Sequence, residues 1–136
     1  MREIPLGRAE ICRKGKDIAL LAFGSLLQPA RVAGDELGAT VVNMRFVKPL
    51  DGELIVDLAR NHRLLVTLEE NVIAGGAGSA VTELLNEVGI GVRVLQLGLP
   101  DQFIEHGTQA ELLAAIGLDT EGILAAVRAV PALLPE

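Results

Sequence analysis

A chain of 136 residues that is half hydrophobic by composition suits one domain with a genuine core and leaves no room for a second. With a formal charge of -6, three Phe and neither Trp nor Tyr, it lacks the basic stripe and stacking rings that nucleic-acid binding needs. The single Cys12 and the absence of thiol pairs or metal-type spacings exclude an internal disulfide and point to a reducing compartment, the cytoplasm.

Residues 1–8, with Ile4, Pro5, Leu6 and Gly7, read as an inter-domain linker remnant, which predicts further sequence upstream. Residues 9–131 form the domain and residues 132–136 a tail. No stretch of Met1 to Gly7 has signal-peptide character. The longest apolar run, Ile18 to Phe23, is far short of the roughly 20 residues that cross a bilayer, so no membrane partner is expected.

Ala9 to Arg13 suits a short charged strand. The tight turn Lys14 to Asp17 joins it to the next strand, a link that permits only an antiparallel neighbour. Four apolar runs follow: Ile18 to Phe23, Thr40 to Met44, Leu64 to Leu68 and Val92 to Leu97. Their lack of clean polar alternation predicts parallel strands covered on both faces, the last of them at an edge. Helical patterns separate them: Leu26 to Leu37, Gly52 to Arg60, Gly78 to Val88, Gln109 to Ile116, and Thr120 to Val130, stopped by Pro131. Ser25 with Gln28 and Thr108 with Glu111 have the spacing of capping boxes, Asp51 and Asp119 suit N-caps, and Pro29 is tolerated in a first turn. The expectation is an α/β fold of three layers, a mostly parallel five-strand sheet between two layers of helix with the first strand antiparallel.

Helix-to-strand connections are minimal, at Gly38-Ala39, Asn61 to Arg63 and Gly89 to Gly91, whereas Met44 to Asp51, Glu69 to Ala77 and Gly98 to Thr108 are long. In a parallel sheet those three emerge at the carboxyl edge, where such folds meet ligands and partners.

Within Glu69 to Ser79, the glycines Gly75, Gly76 and Gly78 open a helix whose amides could cradle a phosphate. The run fails the dinucleotide pattern at Val81, and no phosphate-loop motif occurs. The favoured alternative is that Glu69 or Glu70 occupies the positive end of the helix dipole and repels an incoming anion. Ser79 lacks the flanking glycines of a nucleophile elbow. His106, near Asp101, Phe103 and Glu105, could do acid–base work, but without a nucleophile or metal cluster it reads better as a loop-locking or interface histidine. His62 reads as a solvated turn residue. Arg45, Lys48 and Asp51 could contact an anion; the favoured alternative holds Arg45 to loop carbonyls or to Glu69 and Glu70. Cys12 reads as a small apolar residue on an edge strand.

Met44 to Asp51 (MRFVKPLD), Thr67 to Asn71 (TLEEN), Gly75 to Val81 (GGAGSAV) and Leu97 to Gly107 (LGLPDQFIEHG), in this order, resemble the carboxyl-terminal domain of the 1-deoxy-D-xylulose-5-phosphate synthase family. More broadly they are similar to the last domain of transketolases and of the 2-oxo-acid dehydrogenase beta chain. The resemblance implies a mixed five-strand sheet with its first strand antiparallel. It also implies a homodimeric parent enzyme that uses thiamine diphosphate and Mg2+ to condense pyruvate with glyceraldehyde 3-phosphate, losing CO2, in a route to isoprenoids, thiamine and pyridoxal. The family's cofactor motif begins Gly-Asp-Gly, but the Gly-Asp here, Gly34-Asp35, precedes Glu36 inside a predicted helix. No catalytic, cofactor-binding or metal residue is therefore assigned, and the domain alone is expected to bind no cofactor and to be inactive. The expected role is structural, with Arg45, Lys48, Asp51, Glu69, Glu70, Asn71, Gly75, Gly76, Gly78, Ser79, Asp101, Phe103, Glu105 and His106 as candidate contacts to the preceding domains. A second reading is a regulatory domain that receives a phosphometabolite on Arg45, Lys48 and the amides of Gly76 to Ser79. A self-standing enzyme lacks a nucleophile or redox site.

Overall fold

The computed structural model describes residues 8–45, 50–72, 76–99 and 118–131. Among them, strands β1 (Glu10–Arg13), β2 (Asp17–Ala22), β3 (Thr40–Asn43), β4 (His62–Val72) and β5 (Arg93–Leu99) form one sheet in the order β1-β3-β2-β4-β5. Strands β2 to β5 are parallel and β1 runs antiparallel to β3. The helices are α1 (Leu27–Leu37), α2 (Gly52–Asn61), α3 (Ala77–Val88) and α4 (Thr120–Arg128).

The unbroken apolar character of β2 and β4 follows from burial on both faces. Ile18, Leu20, Ala22, Leu64, Val66 and Leu68 meet Ala30 and Ala33 of α1 and Ile123 and Val127 of α4. Ala19, Leu21 and Leu65 meet Ile55 and Leu58 of α2 and Val81 and Leu85 of α3. Strand pleating alone sorts one run into two cores. The expected three-layer architecture is observed, with β5 at an edge.

Helix α1 approaches the sheet closely because its inner face is small. A β-carbon on Gly34 would stand 2.3 Å from Val41 Cγ2, so any larger residue at this position in the helix forces the Val41 side chain, the strand or the helix to shift. Gly38 ends α1 in the left-handed conformation, φ 66°, and Gly89 ends α3 likewise, φ 76°. Asp51 caps α2 by accepting from Leu54 N at 3.2 Å, and Asp119 caps α4 by accepting from Gly122 N at 2.9 Å.

Four expectations change. Strand β1 pairs with β3, not with β2. The Lys14–Lys16 link passes under the start of β3, where Lys16 N donates to Gly38 O at 3.0 Å and Gly15 N to Thr40 Oγ1 at 2.9 Å. A β-carbon at Gly15 would lie 2.3 Å from Gly38 O, so the chain can slip past at that point only as glycine. The physical reason is burial: apolar β2 takes the centre, where parallel neighbours cover both its edges, and charged β1 is left outside. Second, α1 starts at Leu27 with Leu26 as its N-cap, because Ser25 falls in a 3-10 turn, Gly24–Leu26. Third, β4 runs on through Glu69, Glu70 and Asn71 to Val72, past a register break after Leu68. The loop expected from Glu69 onward therefore begins as strand.

Fourth, His62 is no solvated turn residue. Helix α2 passes directly into β4 there, and the half-buried ring bonds Leu58 O through Nδ1 at 2.9 Å and Thr40 Oγ1 through Nε2 at 2.8 Å. A carbonyl only accepts, so Nδ1 carries a proton. Thr40 thereby joins the Gly15 amide to His62 and ties β3, β4 and the β1–β2 link together at the amino edge. The expected helix Gln109 to Ile116 and the Thr108–Glu111 box lie outside the described residues.

Candidate functional site

The site is built at the carboxyl edge from the end of β4. Pleating puts Thr67 and Glu69 on the same face as Leu65, beneath the start of α3. Glu69 is fully buried. Its Oε1 accepts from Ala77 N at 2.8 Å and its Oε2 from Gly78 N at 2.6 Å. The N-cap residue Gly76 supplies no side chain of its own, so a strand carboxylate eight residues away from Ala77 closes the helix. Two first-turn amides receive a full negative charge, an arrangement stabilised by both hydrogen bonding and the helix dipole. The favoured sequence reading is observed for Glu69: the positive end of α3 is already taken.

Around this contact lies a small polar chamber. Gln96 of β5 pairs in register with Thr67 of β4. Its Nε2 donates to Thr82 Oγ1 at 3.1 Å, and Thr82 Oγ1 donates to Gly78 O at 3.0 Å. Thr67 Oγ1, Gln96 Oε1 and Glu69 Oε2 lie 2.6, 2.9 and 3.0 Å from where a Gly78 β-carbon would stand. Among the described residues, Thr67 Oγ1 and Gln96 Oε1 are buried with no hydrogen-bond partner. A diphosphate does not fit this helix start, which a carboxylate fills. Among the described residues no group of three His, Cys, Asp or Glu could hold a metal ion.

In open α/β sheets ligands favour the crevice where neighbouring strands send their connections opposite ways. Here that crevice lies between the carboxyl ends of β2 and β4. There Phe23 N donates to Leu68 O at 2.9 Å, and the Phe23 side chain is buried.

A second cluster holds the incoming chain. Because β1 is antiparallel, its first residue lies at the carboxyl end of its neighbour β3, with Glu10 opposite Asn43. Asp51 uses both oxygens, Oδ1 on its own helix and Oδ2 accepting from Ala9 N at 2.8 Å. Arg45, in the left-handed region at φ 59°, pairs with Glu10 Oε1 at 3.2 Å. The expected partners are loop carbonyls or Glu69 and Glu70; the carboxylate it meets is one from β1, because β1 lies beside β3. Arg8, Ala9, Ile11 and Leu54 line an open groove of about 450 Å³ with Glu53 and Asp57.

Of the candidate residues, Glu69, Gly76 and Gly78 converge on α3, with Ser79 in its first turn. Asp51 and Arg45 converge instead on β1. Glu70 is half-buried and Asn71 lies in β4. Lys48, Gly75, Asp101, Phe103, Glu105 and His106 lie outside the described residues. Cys12 packs half-buried against the α1 and α4 side of the core, as expected of an edge strand. Sequence reasoning missed Thr67, Gln96 and Glu10; the available signal was Thr67 interrupting an otherwise aliphatic run and Gln96 standing between leucines of the last one. No helix among the described residues is long and apolar enough to cross a membrane.

Residues 7–123 match the family model for the transketolase C-terminal domain. The chain is 63% identical over 126 residues to a 1-deoxy-D-xylulose-5-phosphate synthase of Dechloromonas aromatica (strain RCB), covering 93% of this chain and 20% of that protein. It is 59% identical over all 136 residues to the synthase of that name from Thiobacillus denitrificans, covering 22% of it. A solved structure described as a split gene transketolase, inactive beta4 tetramer, superposes with a TM-score of 0.86 at 35% identity, covering 97% of this chain and 44% of that one. The chain spans about one fifth of the length of the curated relatives it matches.

Proposed function

The chain belongs to the transketolase C-terminal domain family, and from that membership we propose that it is the closing domain of a 1-deoxy-D-xylulose-5-phosphate synthase. The whole enzyme condenses pyruvate with glyceraldehyde 3-phosphate in the cytoplasm, losing CO2, on the way to isoprenoids, thiamine and pyridoxal. Thiamine diphosphate, with Mg2+, supplies the electron sink for decarboxylation when bound, and the preceding domains hold it. In this reading residues 1–8 are linker and residues 9–131 the domain. Its task is to pack its carboxyl edge against the preceding domains and support a homodimer.

One observation carries the assignment of that edge. The antiparallel β1 brings the polypeptide in at the carboxyl edge, beside Asp51 and Arg45, so upstream domains arrive at the face bearing the elaborated connections. The phosphometabolite reading has less support, since Glu69 occupies the amides of Ala77 and Gly78. The inactivity named for the split-gene relative supports an isolated closing domain without activity of its own.

Titration calorimetry tests this. The 136-residue chain binds no thiamine diphosphate with Mg2+ present, whereas the polypeptide that carries its upstream sequence does. Saturable micromolar binding by the short chain overturns the reading, as does upstream coding sequence without a Gly-Asp-Gly motif.

A further inference from the structure

We infer that the open groove between β1 and α2 seats a segment of the preceding domains of the same polypeptide, one that presents an aliphatic side chain to Ile11 and Leu54 and a basic one to Glu53 and Asp57. The inference rests on the reading above and names the contact through which that interface begins.

The groove is about 450 Å³. Its floor is apolar, from Ala9, Ile11 and Leu54, and Ile11 is 40% exposed although it lies on a strand. Its rim is acidic. Glu53 and Asp57 stand one turn apart on α2, a spacing at which two carboxylates repel and a cation between them is favoured. Among the described residues the cations do little for them. Arg8 reaches Glu53 only at 4.0 Å, with the Glu53 side chain 89% exposed, a pairing of small worth in water. Asp57 accepts from Asn61 of its own helix. One wall is rigid, because Asp51 is bonded to both Ala9 and Leu54, so the groove exists before its occupant arrives.

Position selects the occupant. Arg8, just ahead of β1, lies on the groove's rim, and this chain corresponds to about a fifth of its relatives' length. A segment tethered there has an effective concentration in the millimolar range, so a small contact suffices for it. A second copy would need an interface of about 800 Å² on each partner, more than a few apolar side chains provide.

Carbodiimide labelling of carboxylates reads the groove directly. The 136-residue chain is compared with the polypeptide that carries it behind its upstream sequence, with Asp35 and Glu36 on exposed α1 positions as references. Labelling of Glu53 and Asp57 is expected to fall roughly tenfold in the longer polypeptide, as for groups sequestered by a packed partner. Glu53→Lys with Asp57→Lys, or Ile11→Glu, should loosen the contact, read as faster proteolytic separation of the two parts, while the melting temperature of the short chain is unchanged by the lysine pair. Hydrogen exchange at residues 69–72 and 76–79 is followed alongside. If those amides gain protection in the longer polypeptide while Glu53 and Asp57 label equally, the groove assignment fails and the interface reading stands. If neither changes, both fail. Labelling of Glu53 and Asp57 that falls with concentration of the short chain alone assigns the groove to a second copy and overturns the inference.

Discussion

Glu69 and Gly78 define each other. The Glu69 carboxylate accepts the Gly78 amide at 2.6 Å, and the same oxygen lies 3.0 Å from where a Gly78 β-carbon would stand. A helix start able to receive a buried carboxylate at that distance must be made of residues without bulk, and the chain supplies Gly76, Ala77 and Gly78.

Gly78→Ala is therefore expected to destabilise the chain by about 1–3 kcal/mol, since the methyl meets Thr67, Gln96 and Glu69 oxygens at once. Gly52→Ala is the matched control. Its β-carbon meets Leu84 Cδ2 at 3.5 Å, ordinary contact, at the first position of α2, and should be neutral or stabilising by about 0.4–1 kcal/mol. Urea unfolding of both variants checks the pair; equal midpoints would falsify the crowding argument.

Glu69→Gln keeps the shape but offers the two amides one acceptor oxygen and one amide group that can only donate. With Ala77 and Gly78 both buried, one N–H is left without a partner, and the expected cost is about 1–3 kcal/mol. Amide exchange at Ala77 and Gly78 should accelerate more than exchange in the last turn of α3. A variant as stable as the parent removes the role assigned to Glu69.

Thr67→Val should go the other way. The Thr67 hydroxyl is buried with no partner among the described residues, so an isosteric methyl discards a desolvated polar group and is expected to leave stability unchanged or raise it by about 1 kcal/mol. Thermal unfolding decides it. A loss of stability would mean that the hydroxyl is bonded in solution.

Gly34→Ala drives a methyl into Val41 Cγ2 and should cost about 1–3 kcal/mol. In the double variant with Val41→Ala the clash is gone, so the two effects should couple favourably by about 0.5–3 kcal/mol in a double-mutant cycle. Simple additivity would show that α1 moves off the sheet instead.

What the sequence determined by itself was local. Apolar runs of strand length, terminal glycines such as Gly38 and Gly89, and the N-caps Asp51 and Asp119 each act within a few residues. The strands, α1, α2, α3 and α4 and their two-sided burial could accordingly be read in order, with small errors at the ends. Family resemblance, carried by the loop sequences, named the domain because those residues repeat in order whatever they touch.

Only the tertiary structure decided the pairings between distant residues. That β1 joins β3 instead of its sequence neighbour β2, that Arg45 pairs with Glu10 and that Gln96 lies beside Thr67 depend on which strand wins the sheet's centre, a competition for burial across the whole chain. Glu69 shows both halves. Its position before a glycine-rich helix start was visible in the chain. Which of the two adjacent glutamates turns inward was set by the pleat of β4, which puts every second residue, Leu65, Thr67 and then Glu69, on the face that α3 covers.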